Sequence, residues 1–381
     1  MSFIVLLTLY LLNTAATLEP GYPFHDDILE KCACSPDALK TTMLAWRGFN
    51  QEAEIFDAGC HPYQNGSEAT MGIESGQVWI HPASKVETKS FRWYWVTGLS
   101  QLMDGLNGSF GGTFSFGVTT SDDGSSRSKP PTYGVHASLP TKQARVSVIL
   151  PMFPEYQNNA FLDKLLTSLV FRDNLPFSKK QAQAYWRGRP AGAKKYRKVL
   201  LEKLSKLPNT SLSFQKVPIA NFFRHQMILA LDGHSFSSVF KEALLTESVV
   251  IRLRKENKNN RVHQEWFEPM LQNFHHFIAV DDTPQAVNKT IAWVLANQKE
   301  ASLIGLRGSA FGRKIFSRPF TFCYSCVTLH LAAAHQKISS TCPPNTSFRK
   351  MGWQLLNMDS SLPKNSRRWF SRIRKGWIQS R

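Results

Sequence analysis

The sequence has no internal repeat and comparatively few acidic residues. The absence of a period of about 20–50 residues argues against a solenoid of stacked units. Asp and Glu number 28 against 46 Lys and Arg, which gives a formal net charge of +18. A surface with this excess attracts anions such as nucleotide diphosphates, acidic glycans and lipid head groups. With 42% hydrophobic and 12% aromatic residues, the 381-residue chain is too rich in core-forming side chains to be disordered, and it is long enough for two domains.

The apolar stretch at the N-terminus, residues 3–12, is too short to cross a bilayer comfortably. Small residues at positions 14–17 follow it, as a signal-peptide cleavage site requires. No basic residue precedes the stretch, which departs from the usual signal peptide. We predict a signal peptide over residues 1–17. The alternative is an uncleaved short anchor, through which the chain would associate with a membrane.

Acceptor sequences for N-glycosylation support this assignment. An Asn-x-Ser/Thr motif indicates exposed backbone when the chain is secreted. One of the motifs, at Asn288, falls inside a helical pattern, where access would be poorest. Together with the leader, the set predicts a protein of the secretory pathway, in the endoplasmic reticulum or Golgi lumen or secreted, so nucleic acid is not an expected partner. The motifs lie at Asn65, Asn107, Asn209, Asn288 and Asn345.

Only six cysteines are present, and they fall into two groups at opposite ends of the chain. In an oxidising compartment they would form up to three disulfides, paired either within or across the groups. The spacing Cys323-x-x-Cys326 would also suit a redox or zinc site, but no second ligand pair at zinc-finger spacing follows it, so we expect no metal. The groups are Cys32, Cys34 and Cys60, and Cys323, Cys326 and Cys342.

Helical and strand patterns alternate after residue 63, which indicates an α/β fold. The alternation is most regular in the second half, where strands are predicted at residues 184–186, 226–231, 249–251 and 277–280. Helices are predicted at residues 161–170, 194–206 and 239–245, and a further helix begins at Thr283, which would cap it, with Pro284 in its first turn. Earlier strands are expected around Phe114, Phe116 and Val118 and around residues 146–150.

We divide the chain into four segments on these patterns. The leader covers residues 1–17, an N-terminal lobe residues 18–158, a C-terminal lobe residues 159–335 and a basic tail residues 336–381. Two α/β lobes would bind a ligand between them, at the carboxyl ends of their strands. Asp122, Arg187 and the pair Asp232-Gly233 each stand where a predicted strand gives way to a loop.

Residues 114–316 resemble the CAP-type glycosyltransferases, glycosyltransferase family 90, which include protein O-glucosyltransferases and fungal capsule xylosyltransferases. The resemblance rests on the order and spacing of several short motifs. The strongest is Met-Ile-Leu-Ala-Leu-Asp-Gly-His-Ser-Phe-Ser at residues 227–237, followed by a helix and the strand beginning at residues 248–250. The other matching segments are Ala-Tyr-Trp-Arg-Gly at residues 184–188, Glu-Trp-Phe at residues 265–267 and His-His-Phe-Ile-Ala-Val at residues 275–280.

The resemblance implies a GT-B type fold, with two Rossmann-like lobes around a cleft, the N-terminal lobe binding the acceptor and the C-terminal lobe the donor. It also implies inverting, metal-independent transfer from a UDP-sugar to a protein hydroxyl or glycan, with the UDP-sugar as co-substrate and no cofactor. Such transfer needs a base to take the acceptor proton, and Asp122 falls where the family keeps this aspartate. Asp123 is the alternative if the register slips by one residue.

The departing diphosphate needs positive charge and backbone donors. The resemblance assigns this task to residues around two predicted strand ends and the helix that follows, with Gly188 allowing close backbone approach. His276, beside a buried strand, is interpreted as a core histidine with a satisfied side chain. The donor-binding candidates are Arg187, Gly188, Asp232, Gly233, Ser237 and Lys241.

One departure from the family pattern bears on activity. The family has an arginine for the donor phosphates where this chain has Val239, and Arg224, Lys241, Arg252 and Arg254 are candidates to compensate. The family's Tyr and Pro beside the histidine are also replaced here, by Phe277 and Ala279. The alternative function is therefore a catalytically silent, glycosyltransferase-like module that binds glycans or proteins. A third hypothesis, a nucleic-acid or membrane-surface binder that acts through the basic tail, ranks last.

Overall fold

The structure is a computed structural model. It describes residues 32, 34–49, 56–58, 69–74, 77–80, 114–118, 132–134, 136–139, 147–149, 175–188, 194–215, 217, 219–232, 237, 239–254, 262–334, 336–338 and 354–355. The helices of this part are α1 (Pro36–Phe49), α2 (Lys194–Leu204), α3 (Phe240–Leu244), α4 (Pro284–Ala296), α5 (Gln298–Ile315) and α6 (Arg318–Ala334). None of the helices in these ranges is both long and apolar enough to cross a membrane.

The strands of the N-terminal half are short. They are β1 (Phe56–Ala58), β2 (Ala69–Glu74), β3 (Gln77–Ile80), β4 (Phe114–Val118), β5 (Thr132–Gly134), β6 (His136–Leu139) and β7 (Ser147–Ile149). Those that follow are β8 (Gln181–Arg187), β9 (Thr210–Ser213), β10 (His225–Leu231), β11 (Val249–Arg254), β12 (Val262–Glu265), β13 (Ile278–Asp281), β14 (Gln336–Ile338) and β15 (Gln354–Leu355).

The C-terminal half is built on a five-stranded sheet in the order β13-β11-β10-β8-β9, and every neighbouring pair in it is parallel. Strand β10 is buried along its whole length, as expected for a central strand covered on both faces. Helices α2 and α4 cover one face, where Leu204 and Ile291 join the core cluster of Met227, Leu229 and Ile251. This doubly wound sheet confirms the predicted α/β class and has the form of a Rossmann-like lobe.

Helices α3 and α5 cover the opposite face. Side chains alternate along a strand, so Arg252 points away from its neighbours Ile251 and Leu253, and its guanidinium lies 5.3 Å from the ring of Phe240 on α3. Helix α5 approaches closely because glycines face the sheet. A Cβ at Gly308 would lie 2.3 Å from the carbonyl oxygen of His276. Helices α3 and α5 therefore cover the face of the sheet that carries the charged residues of the site.

A second sheet, in the order β15-β3-β2-β4-β5-β7, forms in the N-terminal half and combines antiparallel with parallel pairs. Strand β6 pairs with β12, and β1 pairs with β14. Strands β14 and β15 come from the segment assigned to the basic tail, so parts of that segment pair with N-terminal strands.

Two disulfides join α6 to the residues just before α1. Cys32 is bonded to Cys326 and Cys34 to Cys323, across sequence separations of 294 and 289 residues. The cysteines therefore pair across the two groups, which the spacing had left open. Cys60 and Cys342 lie outside the described residues.

The predicted elements of the C-terminal half that fall in the described residues are confirmed, with small shifts of their ends. Helix α4 begins as predicted: Pro284 is its first residue, and the Thr283 hydroxyl accepts a hydrogen bond from the amide of Ala286. Asn288 is exposed on α4, and Asn209 is exposed in a turn with a φ of 56°, so neither side chain is blocked. The other acceptor asparagines and the predicted helix at residues 161–170 lie outside the described residues.

Candidate active site

The carboxyl ends of the parallel strands form one edge of the C-terminal sheet. The chain runs from β8 outward to β9, then returns past β8 to β10 and continues away to β11 and β13. The strand order therefore reverses between β8 and β10, which is where open α/β sheets bind ligands. Arg187 is the last residue of β8 and Asp232 follows the last residue of β10, so the fold brings these two candidates to adjacent strand ends.

The side chain of Arg187 lies against the sheet. Its guanidinium donates hydrogen bonds of 2.6 and 3.0 Å to the carbonyl oxygen and hydroxyl of Ser211 on β9, and one of 2.9 Å to the carbonyl of Trp186. Its central carbon is 4.3 Å from the ring of Tyr185, which stacks in turn on His225 with centroids 3.8 Å apart. The pKa of His225 is lowered to about 4, first by burial and then by Arg187 and Arg224.

Gly188 is required by packing at its own position. A Cβ there would lie 2.7 Å from Cζ2 of Trp186, whose indole is 2% exposed and belongs to the core. The absence of a side chain lets the backbone at Gly188 lie against the edge of this ring. Packing against Trp186 thus explains why residue 188 is a glycine, and the sequence alone did not indicate this contact.

Asp232 belongs to a buried charged cluster centred on Arg252. The Arg252 guanidinium lies 2.5 Å from Asp232 Oδ1 and 3.4 Å from Glu268 Oε1, and the Arg252 side chain has no exposed surface. The backbone amide of Glu265 donates a 3.1 Å hydrogen bond to the same Glu268 oxygen. Because Arg252 and Glu268 lie on different elements, the cluster ties the end of β10 to β11 and to the turn after β12.

Burial controls the ionisation of Asp232. Desolvation raises its pKa to about 6, and the nearby Glu268 carboxylate adds to this effect, whereas Arg252 and Arg197 act in the opposite direction. The ion pair with Arg252 therefore offsets only part of the cost of burying the charge. Asp232 is a carboxyl group whose charge changes close to neutral pH, a property common at functional sites.

Helix α2 reaches the same strand end from the other face. Arg197 donates hydrogen bonds of 2.8 and 3.2 Å to the carbonyl oxygens of Asp232 and Leu231. The neighbouring Tyr196 hydroxyl donates to a carboxylate oxygen of Asp282, the residue after β13. These contacts hold the backbone where β10 becomes the loop of the predicted Asp-Gly turn.

The remaining described candidates lie around α3. Ser237 is 1% exposed, and its hydroxyl has no hydrogen-bond partner within the described residues. Lys241, in the first turn of α3, lies 3.9 Å from Glu265 Oε1. Val239 occupies the N-cap of α3 and forms no side-chain cap, so no cation stands at that position.

Asp122, Asp123 and Gly233 lie outside the described residues, and their roles stay predictions. His276 is confirmed as a core histidine: it is 8% exposed, its Nδ1 accepts a 3.0 Å hydrogen bond from the amide of Gln272, and its ring stacks on Phe311. Sequence reasoning did not assign Glu268 a role. The available signal was an arginine inside the buried strand β11, which requires carboxylate partners.

Potential metal ligands come together near α6, away from the strand ends. Side-chain atoms of Cys32, Cys326 and His330 lie within 4.8 Å of one another. The two sulfurs are bonded to each other in a disulfide, and it is the thiolate that binds metals. In this oxidised state the group is not a metal site.

Comparison with known proteins places the second half of the chain in a family. Residues 162–350 match the sequence model of glycosyl transferase family 90. No curated protein matches the sequence. The matched region contains β8, β10, β11 and the buried charged cluster at their ends.

Several solved structures are similar to this chain at low identity. Anabaena HepE in complex with UDP and glucose is 9% identical with a TM-score of 0.33, and the alignment covers 50% of this chain and 58% of that one. Sucrose-phosphate synthase from Thermosynechococcus elongatus is 15% identical with a TM-score of 0.32, with 50% and 54% covered. This chain thus spans little more than half the length of these proteins. Over residues 162–350, the chain matches glycosyl transferase family 90, the family that its sequence motifs resemble.

Proposed function

We propose that the chain is an enzyme that transfers a sugar, with glucose and xylose as the first candidates, from a UDP-sugar to a hydroxyl group of a protein or glycan. The observation that carries the proposal is the charged cluster of Asp232, Arg252 and Glu268 at the strand ends of the family 90 region. Such a cluster fixes the loops at the edge where a nucleotide-sugar would bind. Two cationic side chains lie at the same edge, Arg187 at the end of β8 and Arg254 at the end of β11, and they would face the charge of the diphosphate.

The reaction requires a base and a stabilised leaving group. A carboxylate takes the proton from the acceptor hydroxyl as its oxygen attacks the anomeric carbon. The bond from that carbon to the phosphate oxygen then breaks, and UDP leaves with the electron pair. We assign the base to Asp122 and the diphosphate to the groups around Arg187, Gly188, Asp232-Gly233, Ser237 and Lys241. Cationic side chains would then stabilise the leaving diphosphate without a metal ion, and the outcome would be inversion.

The test of this proposal is sugar transfer by the purified chain. We expect UDP release from UDP-glucose or UDP-xylose that depends on an acceptor and persists in the presence of EDTA. Asp122→Asn should lower transfer at least ~10²-fold while UDP affinity stays unchanged, because only proton acceptance is lost. Asp123→Asn is the matched control, and loss of transfer in that variant alone would move the base by one residue. Absence of both turnover and UDP binding with all common donors would refute the proposal.

A silent binding module is the second candidate, and Val239 favours it, because the N-cap of α3 carries no cation for a phosphate. A measurement of turnover distinguishes the two functions. A silent module binds a glycan or protein partner and releases no UDP from any UDP-sugar, whereas the enzyme does so with its acceptor present.

We also propose that the chain resides in the lumen of the secretory pathway. The leader, the acceptor asparagines and the disulfides support this location, since disulfides persist in oxidising compartments. Asn209→Gln removes one exposed acceptor. Expressed in a secreting cell, this variant should run with a smaller mass than the wild type before treatment with a glycosidase and with the same mass afterwards. Equal masses before treatment would show that Asn209 carries no glycan.

A further inference from the structure

Arg254 ends β11 at the same sheet edge as Asp232. Its guanidinium carbon lies 5.9 Å from the ring centroid of Phe277, and its side chain is 34% exposed. The nearest carboxylate oxygen in the described residues is Glu268 Oε2, at 4.0 Å. The Arg254 Nε has no hydrogen-bond partner within the same residues. An aromatic ring therefore supports this guanidinium from one side, and its ion pair with Glu268 is a long one.

The other cations near this edge are held more firmly. Arg252 is fully buried between Asp232 and Glu268, so its charge is already matched and no ligand can reach it. Arg197 donates to backbone carbonyls at the end of β10. Both side chains therefore have a structural role.

Two further cations differ from Arg254 in their exposure or their position. Lys241 faces the buried carboxylate of Glu265 and is itself 19% exposed. Arg224 immediately precedes β10, so it stands at the amino ends of the parallel strands, on the opposite edge of the sheet. Arg254, by contrast, combines partial exposure, an aromatic ring beside its guanidinium and a position at the carboxyl edge.

A short chain of contacts links Arg254 to the residues of the site. The Phe277 ring beneath it packs on Phe240, with centroids 5.5 Å apart, and Phe240 is the first residue of α3. On the other side, Glu268 contacts both Arg254 and Arg252, and Arg252 contacts Asp232. Arg254 is thus positioned by the same cluster that fixes the Asp232 loop.

We propose that Arg254 binds the diphosphate of the nucleotide-sugar through its terminal guanidinium nitrogens. The planar guanidinium matches two phosphate oxygens, and the ring of Phe277 limits its orientations before the ligand arrives. Glu268 shares its charge between Arg252 and Arg254, which leaves Arg254 able to exchange a long carboxylate contact for a direct phosphate contact. This inference rests on the proposed function, because it deepens the description of the same donor site.

The experiment compares UDP with uridine, which lacks the phosphates, for binding to the full chain. Arg254→Gln should weaken UDP binding by roughly 10- to 100-fold and leave uridine binding unchanged, because only a charge-assisted contact to phosphate is lost. Arg254→Lys should weaken UDP binding to an intermediate extent, since lysine keeps the charge but lacks the planar guanidinium that matches two phosphate oxygens. Arg307→Gln is the matched control: Arg307 is 36% exposed and also has one glutamate partner, at 3.1 Å, on α5. It should bind UDP as the wild type does.

The outcomes separate the inference from the proposed function. If the wild type binds UDP and Arg254→Gln binds it equally well, the role of Arg254 is refuted and the proposed function stands. If Arg254→Gln weakens UDP and uridine to the same extent, Arg254 supports the fold of the site, and the phosphate contact is refuted. If the wild type binds neither compound, both proposals fail. Near-ultraviolet circular dichroism of each variant, compared with the wild type, checks that the fold is intact.

Discussion

The guanidinium of Arg252 lies 2.5 Å from Oδ1 of Asp232, and the Arg252 side chain has no exposed surface. The two partners are not equivalent. Burial raises the pKa of Asp232 to about 6, so the protein tolerates the neutral acid. Burial acts to lower the pKa of Arg252, but the carboxylates of Glu268 and Asp232 together raise it above its ordinary value and keep the guanidinium charged. The positive charge is therefore the fixed centre of the cluster.

Replacement of Arg252 should cost much more stability than replacement of Asp232. Arg252→Gln leaves two buried carboxylates without their cation, and we expect it to lower the free energy of unfolding by about 3–5 kcal/mol. Asp232→Asn should cost less at pH 7, since Glu268 still neutralises Arg252. Urea denaturation of both variants measures the difference. Equal losses would contradict the asymmetry.

The same pair, Asp232 and Arg252, should make the stability of the protein depend on pH. The folded-state pKa of Asp232 is above its ordinary value, so the folded state binds more protons than the unfolded state between pH 3.8 and about 6. The wild type should therefore lose stability relative to Asp232→Asn as the pH rises through this window, by on the order of 2 kcal/mol. A constant difference between the two proteins from pH 4 to pH 7 would refute this assignment.

His276 should give the stability of the protein the opposite dependence on pH. Its pKa is lowered to about 4, first by burial and then by His275 and Arg307, and its Nδ1 must be unprotonated to accept the hydrogen bond from Gln272. The unfolded state takes up a proton near pH 6.5 and the folded state only near pH 4, so stability is lost as the pH falls across this range. His276→Asn keeps an acceptor without a titrating ring. Between pH 6.5 and pH 4, this variant should lose less stability than the wild type, by on the order of 1 kcal/mol. Thermal unfolding at both pH values measures the difference.

Gly308 should not tolerate a methyl group. The added Cβ would lie 2.3 Å from the carbonyl oxygen of His276, and neither the helix nor this backbone can move without disturbing the face that carries the site. We expect Gly308→Ala to lower the free energy of unfolding by about 1–3 kcal/mol, despite the better helix propensity of alanine. Leu306→Ala on the exposed side of the same helix is the control, and it should change stability by no more than about 0.5 kcal/mol.

Val239→Arg tests the departure of this chain from the family pattern. The substitution places a guanidinium at the N-cap of α3, near the proposed diphosphate, and should strengthen UDP binding by roughly 10-fold through a charge-assisted hydrogen bond. Val199→Arg makes the same change on the exposed face of α2, where Val199 is 43% exposed, and should leave affinity unchanged. Titration calorimetry compares the two variants. Equal effects would show that only the net charge matters.

The sequence was sufficient to predict the elements whose signals are local. The cap at Thr283, the proline after it and the apolar run of β10 each depend on neighbouring residues, and each prediction is confirmed. Helices α5 and α6 were not predicted. In α5, three glycines and a serine occupy the buried face between Ile304 and Ile315, which weakens the helical pattern.

The site was predicted only where a residue stands next to a strand end. Arg187 and Asp232 lie at adjacent strand ends as predicted, but the partners of their side chains come from elements far away in sequence. Asp232 meets Arg252 because β10 pairs with β11, and Glu268 joins them only through tertiary packing. Hydrogen bonding of Arg187 to Ser211 likewise depends on the pairing of β8 with β9. Such contacts depend on register and topology, which no local motif encodes.

The two disulfides between the region before α1 and helix α6 keep the chain in one covalent piece after proteolytic cleavage between them. Because they join Cys34 to Cys323 and Cys32 to Cys326, a protease cut anywhere in the long intervening segment leaves both fragments covalently attached. The bonds also cannot close until α6 has been synthesised, since one cysteine of each pair lies in that helix. During translation, Cys32 and Cys34 must therefore remain as thiols, or in temporary pairings, until their partners emerge 294 and 289 residues later.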